Sequence, residues 1–328
     1  MLMGHDHAIS TFMEAAHGDR LHHAWLLTGP RGVGKALFAR LAARRLLAEA
    51  AGPSFDLPGF EVPASHPISA LVEADSHPDL MVLDRIIDEK SGAQARSISI
   101  DQVRSLQRLF ATTGSYSSRR IVIIDTVDDL ERGGANALLK NLEEPPTGSL
   151  FLLVSHAPGR LLPTIRSRCR TLRFQTLGAD VMAQLLQAEL PNADSSEIAG
   201  LIRAGEGAPG RALSFAGLDI TGLDAAIERL VTEGDAQNAE RSALGRFLAL
   251  KVNHARYEVF LERAPARIAV EAARREGRAL EQALVIWEEA RTLAASAVPL
   301  SLDVQSTTFR LAGLLADMAR DPYLQRSR

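Results

Sequence analysis

One cysteine, Cys169, stands in 328 residues, which excludes an intramolecular disulfide and any zinc site built from several thiolates. A reducing compartment and no bound zinc are the expectation. Basic charge is short as well: 37 Lys plus Arg face 40 Asp plus Glu, for a formal net charge of −3. That leaves no overall basic field of the kind that drives non-specific nucleic-acid binding. Any DNA contact is then local or shared with partners. No apolar run approaches the ~18 residues needed to cross a bilayer, and the opening MLMGHDHAIS lacks a basic segment followed by an apolar core. These absences predict a soluble cytoplasmic protein without membrane contact. The length suits two or three domains at about 150 residues each.

Residues 1–175 alternate amphipathic, helix-like stretches with short continuous apolar runs at Ala24 to Leu27, Leu80 to Leu83, Ile121 to Ile124 and Leu150 to Val154. Such runs read as strands buried on both faces of a parallel sheet, and the alternation predicts a three-layer α/β domain. Gly52 to about Ser76 is rich in Pro, Gly and Ser and reads as a loop. From Ile98 the spacing of Val103, Leu106 and Phe110 is helical, with Asp101 as the expected cap. Past Phe174 only helical periods remain. Short helices fit Ala179 to Leu190, Ser195 to Ala204 and Gly210 to Phe215, a small helical domain over 176–218. Longer amphipathic segments carry Leu223, Ile227 and Leu230; Leu244, Phe247 and Leu248; Leu280, Leu284, Trp287 and Ala290; and Leu311, Leu314, Leu315 and Met318. These predict an all-helical domain over 219–328.

Directly after the first strand comes Gly29-Pro30-Arg31-Gly32-Val33-Gly34-Lys35-Ala36, opening a helix. This is the strand, glycine loop and helix of a P-loop, in which Gly29, Gly32 and Gly34 let backbone N–H groups face phosphates and Lys35 neutralises them. The residue after Lys35 should be Ser or Thr to ligate Mg²⁺, and Ala36 offers no oxygen. The third strand ends at Asp125-Thr126, where an acidic pair would hold Mg²⁺ and polarise the attacking water; Thr126 occupies the second place. Asp128 and Asp129 read as a solvated loop or a helix cap. The two losses agree with each other and point to a former ATPase that retains at most weak ATP or ADP binding. Ser155, at the end of the fourth strand, reads equally as a phosphate sensor and as an ordinary strand-end serine. Arg166, Arg168 and Arg170 alternate, which would put all three on one face of an extended segment. There they would form either a solvated basic edge or a guanidinium that reaches a neighbouring subunit's phosphate.

Taken together, Leu21-His22-His23-Ala24-Trp25-Leu26-Leu27-Thr28-Gly29-Pro30, Asn136 to Pro146 (NALLKNLEEPP) and Leu162-Pro163-Thr164-Ile165-Arg166-Ser167-Arg168-Cys169 resemble bacterial clamp-loader subunits of the AAA+ superfamily. Gly207-Ala208-Pro209-Gly210-Arg211-Ala212-Leu213 strengthens the likeness, which spans about residues 4 to 215. The resemblance implies a RecA-like AAA+ sheet domain over 1–175, a helical lid over 176–218 and a helical collar over 219–328 that packs in a ring-like pentamer. It further implies DNA polymerase III partners, the tau or gamma and delta subunits, with the sliding clamp and primer-template DNA reached through them. Arg168 would be an arginine finger acting in trans on ATP held by tau or gamma, and Arg211 the lid arginine that senses nucleotide in active relatives. Many relatives carry a four-cysteine zinc module after the P-loop helix; here that place has no Cys, and His66 and His77 are too isolated to replace it. In NALLKNLEEPP, Leu138, Leu139 and Leu142 are expected to face the core, with Lys140, Glu143 and Glu144 outward. Two functions follow. One is a non-hydrolysing clamp-loader subunit; the other is an active AAA+ ATPase that remodels or loads a DNA-bound complex through Lys35 and Asp125, with an unusual base.

Overall fold

The computed structural model of the chain describes residues 2–18, 21–87, 95, 97–111, 119–218 and 220–319. It divides into two compact units, Met1–Ser214 and Phe215–Arg328. The expected start of the all-helical domain, residue 219, lies outside the described residues, as do 320–328.

The first unit opens with helix α1 (Asp6–His17), strand β1 (Ala24–Thr28), α2 (Lys35–Ala51), α3 (Pro67–Glu73) and β2 (Leu80–Asp84). It continues with α4 (Ile100–Ala111), β3 (Arg120–Asp125), α5 (Arg132–Glu143), β4 (Ser149–Ser155), α6 (Pro163–Arg166) and β5 (Arg170–Arg173). Three short helices close the unit: α7 (Ala179–Glu189), α8 (Ser195–Gly205) and α9 (Pro209–Ser214). All strand pairs are parallel, in the order β2-β3-β4-β1-β5. This is the parallel α/β sheet that the apolar runs announced. Every residue of β1 and β4 is buried, and alternate side chains enter two separate cores. Trp25, Leu27, Ile121, Ile123, Leu150 and Leu152 join α1 and α2 on one face; Leu26, Val122, Ile124, Phe151 and Leu153 join α4 and α5 on the other. The period of two thus builds a three-layer sandwich. Register then brings Thr28 level with Ser155, and Asp125 level with Val154, so the loops that follow β1, β3 and β4 meet at one edge of the sheet.

Several local expectations need correcting. The Gly52 to Ser76 loop contains α3, whose Ile68 and Val72 are buried; the His66 ring caps it, Nδ1 accepting from the Ile68 N–H at 3.3 Å. The cap of α4 is Ser99 rather than Asp101. Ser99 Oγ accepts from the Gln102 N–H at 3.3 Å while Gln102 Oε1 accepts from the Ser99 N–H at 3.0 Å, a capping box readable as Ser-x-x-Gln. The span from Arg166 to Arg170 is not extended. Arg166 ends α6, Arg168 lies in the following turn, and only Arg170 is in a strand, its guanidinium 4.8 Å above the Trp25 ring. Pro163 at the first helical position favours the one-turn helix over an extended run. The three arginines therefore share no face.

The second unit is helical: α10 (Ile220–Glu233), α11 (Ala239–Leu248), α12 (His254–Ala272), α13 (Gly277–Ala297) and α14 (Val304–Asp317). Two bidentate pairs tie α10 to α12. Arg263 Nε and Nη2 donate to Asp224 at 2.5 Å each, and Arg267 Nε and Nη2 donate to Glu228 at 2.7 and 3.0 Å. Both acids and both arginines are four residues apart, so the pairs stack as successive turns. Leu223, Ile227, Leu230, Leu311, Leu314, Leu315 and Met318 are buried as their period requires. In α13 the buried seam is instead Ala283, Ala290 and Ala297, and Leu284 is exposed. The seam is made of small residues seven apart and differs from the face the larger apolar residues suggested. Phe247, expected inside α11, is also exposed. Among the described residues no helix is long and apolar enough to cross a membrane.

Candidate functional site

The loop after β1 turns on glycines in the left-handed region. Gly29 has φ +149°, and a Cβ there would lie 2.4 Å from the Phe174 carbonyl oxygen; Gly32 has φ +78°, and its Cβ would lie 2.5 Å from the Arg211 amide nitrogen. Only glycine satisfies both conditions. Helix α9 rests directly on this loop, the Gly210 N–H donating to the Gly32 carbonyl at 2.8 Å. From the other side the buried His5 ring donates through Nε2 to the Val33 carbonyl at 2.8 Å and meets Phe174 edge-on at 5.0 Å. Between this loop, helices α7 and α9 and the N-terminal segment lies a cavity of about 260 Å³. Leu2, Met3, Val33, Leu185, Pro209 and Leu213 form its apolar wall, and Lys35, Asp125 and His156 its polar end.

Lys35 is buried, and its ammonium donates to the Gly29 and Pro30 carbonyls at 2.6 Å each. Burial lowers its pKa to about 8, against the opposing pull of Asp125 and Asp128. Burial likewise raises Asp125, with Asp84 adding to the effect, and lowers His156 to about 4, so that imidazole is neutral at pH 7. Asp128, partly exposed in the turn after β3, is not free: Ser155 Oγ donates to its Oδ1 at 2.9 Å and the His156 N–H to its Oδ2 at 2.5 Å. This carboxylate ties the end of β4 to the turn after β3, and Ser155 is engaged there. Asp129 pairs with Arg85 at 3.1 Å.

A lysine charged below about pH 8 when folded, and below 10.5 when unfolded, binds more protons in the unfolded chain between those values. Stability gained from Lys35 therefore rises with pH across that window. The unfolding free energy of wild type minus that of Lys35→Met is expected to increase from pH 7.5 to 9.5, measured by urea denaturation; a flat difference would contradict the assigned environment.

The donor set does not fit a Mg²⁺-nucleotide poised for hydrolysis. Position 36 has no hydroxyl, the second acidic place is Thr126, and Lys35 is turned onto its own loop. Gly32, Gly34, Lys35 and Asp125 line the cavity, and Gly29 reaches it through the bond from Lys35 to its carbonyl. Arg211 reaches the loop through its backbone, while its guanidinium donates to Glu206 at 2.7 Å. Among the described residues no three His, Cys, Asp or Glu side chains are placed to hold a metal. Burial pushes the Cys169 thiol up to about 12, which keeps it protonated.

Arg168 does not line this cavity. Its Nη1 donates to the Thr164 carbonyl at 3.0 Å, and its Nη2 pairs with Glu143 Oε1 at 2.7 Å. Glu143 faces outward as read, and Leu138 and Leu142 inward, but its link to Arg168 crosses 25 residues and carries no periodic signal. His23 also joins distant elements: its Nε2 donates to the Leu142 carbonyl at 3.1 Å, while burial and the stacked His22 lower its pKa.

The profile of the family described as DNA polymerase III, delta subunit, matches residues 4–178. Curated relatives include the DNA polymerase III subunit delta' of Pseudomonas aeruginosa, 35% identical over 190 residues, covering 57% of this chain and 53% of the relative. The subunit delta' of Bacillus subtilis is 38% identical over 160 residues, covering 48% and 44%. The subunit gamma/tau of Mycobacterium tuberculosis is 32% identical over 217 residues, covering 65% and 35%. The chain spans about half the length of the delta' relatives it matches. Because the matched span takes in the whole parallel sheet, the glycine loop and the Arg168 turn, this chain belongs to the DNA polymerase III delta subunit family.

Proposed function

We propose that the chain is a delta-prime-type subunit of a bacterial clamp loader that hydrolyses no ATP itself. In this reading it completes a neighbour's ATPase site with Arg168 and helps load the sliding clamp on primer-template DNA. Its partners are the tau or gamma and delta subunits, and it requires neither nucleotide nor zinc of its own. The observation that carries the reading is a contrast within one domain. Lys35 is closed onto the Gly29 and Pro30 carbonyls beside Ala36, whereas Arg168 stands at the surface with 34% of its side chain exposed. A guanidinium at such an edge adds positive charge where a transferring phosphoryl group gathers negative charge. A lysine buried on its own loop does not.

Two measurements test this. The full chain mixed with tau or gamma and delta is expected to co-elute as one complex, and failure to bind any of them removes the reading. Alone, the chain is expected to hydrolyse ATP negligibly. A turnover near ~1 s⁻¹, at the low end for phosphoryl transfer, that vanished in Lys35→Ala would favour an active ATPase instead.

A further inference from the structure

Glu143 and Arg168 meet at 2.7 Å although both are partly exposed, at 49% and 34% of their side chains. A pair so open to water contributes little to folding, so its value lies in geometry. Each partner hangs from the same core. Leu142, one residue before Glu143, and Ile165, three before Arg168, are each 1% exposed and belong to one apolar cluster, against which Cys169 also packs. The Leu142 carbonyl is held by the His23 ring, and Pro145-Pro146 prevents α5 from continuing. The carboxylate therefore comes from a rigid helix end, and the guanidinium from a turn pinned by Ile165. Arg168 Nη1 is further held by the Thr164 carbonyl at 3.0 Å and Ser167 Oγ at 3.4 Å. Among the described residues these contacts use three of the five guanidinium N–H groups, and Nε–H and one Nη2–H face an incoming oxyanion.

We propose that Glu143 is a positioning residue: its carboxylate holds the Arg168 guanidinium in one orientation at the domain edge, ready for a phosphate bound by a neighbouring subunit. This rests on the arginine-finger reading above. A free arginine side chain samples many rotamers. Anchoring it through Glu143 removes that freedom before the partner's phosphate arrives, and pre-orientation is where large rate factors originate.

The test uses the full chain reconstituted with its clamp-loader partners and measures DNA- and clamp-stimulated ATP turnover at the partner site. Glu143→Gln, which keeps size and removes charge, is expected to lower kcat about tenfold, in the range typical of lost orienting contacts. KM for ATP and co-elution of the complex are expected to stay unchanged. Glu143→Asp, which keeps the charge on a shorter stem, is expected to restore part of the rate. In an Arg168→Ala background Glu143→Gln is expected to add nothing, since it acts only through Arg168. If Arg168→Ala slows turnover but Glu143→Gln leaves kcat at the wild-type value, or raises it, the positioning role is wrong and the finger stands. A Glu143→Gln effect that is additive with Arg168→Ala, or that appears in KM or assembly, also overturns it. If Arg168→Ala itself changes nothing, the finger reading fails first.

Discussion

Arg168→Ala is expected to lower ATP turnover at the neighbouring site by about 10³-fold or more, the magnitude reported for lost arginine fingers. The chain itself should remain folded and assembled. Arg168 contributes one partly exposed ion pair and bonds to the Thr164 carbonyl and Ser167 Oγ, none of which supports the core. Its neighbours provide the contrast. Among the described residues the Arg166 guanidinium makes a 3.4 Å contact with the Pro158 carbonyl, and Arg170 lies over the Trp25 ring. Arg166→Ala is expected to leave turnover nearly unchanged, while any effect of Arg170→Ala should appear as lost stability, because its guanidinium serves the sheet edge. Steady-state ATPase of the reconstituted loader, with thermal unfolding of each isolated variant, separates these outcomes. Equal rates for wild type and Arg168→Ala would show that the arginine is only a surface residue.

Phe12→Ala is expected to cost the first unit about 3–5 kcal/mol, the range for truncating a fully buried phenylalanine. Phe12 is 0% exposed, and its ring meets Trp25, Phe38 and Phe60 edge-on at 5.1, 5.6 and 6.0 Å. It joins α1, β1, α2 and the segment before α3, so no single neighbour can collapse into the space it leaves. The damage should also reach the glycine loop, because α1 follows directly on His5, whose ring holds the Val33 carbonyl. Chemical denaturation of the full chain measures the loss. A change below about 1 kcal/mol would mean that the aromatic cluster relaxes freely, contrary to close packing.

The P-loop and the strands that carry it were legible from local pattern alone. An apolar run of four or five residues that is buried on both faces has few alternatives, and a glycine loop between such a run and a helix imposes its own backbone. NALLKNLEEPP gave its helix, its buried leucines and its proline stop for the same reason. Where local pattern misled, a neighbour decided. The buried seam of α13 follows alanines and not its larger apolar residues, and the Arg166 to Arg170 stretch coils because Pro163 starts a helical turn. Asp128 looked like an exposed loop acid because Ser155 and the His156 amide, its partners, arrive from another strand.

By itself, then, the sequence determined the parallel sheet domain, the helical remainder and the glycine loop after β1 with no hydroxyl at Ala36, all of which depend on residues within a few positions of one another. Only the tertiary structure decided that Lys35 turns onto Gly29 and Pro30, that Gly210 rests on Gly32, and that Glu143 holds Arg168. Each of those outcomes depends on which groups the packed core brings within hydrogen-bonding reach and shields from water. Burial and distance of that kind arise from the assembled layers, and no periodicity along the chain encodes them.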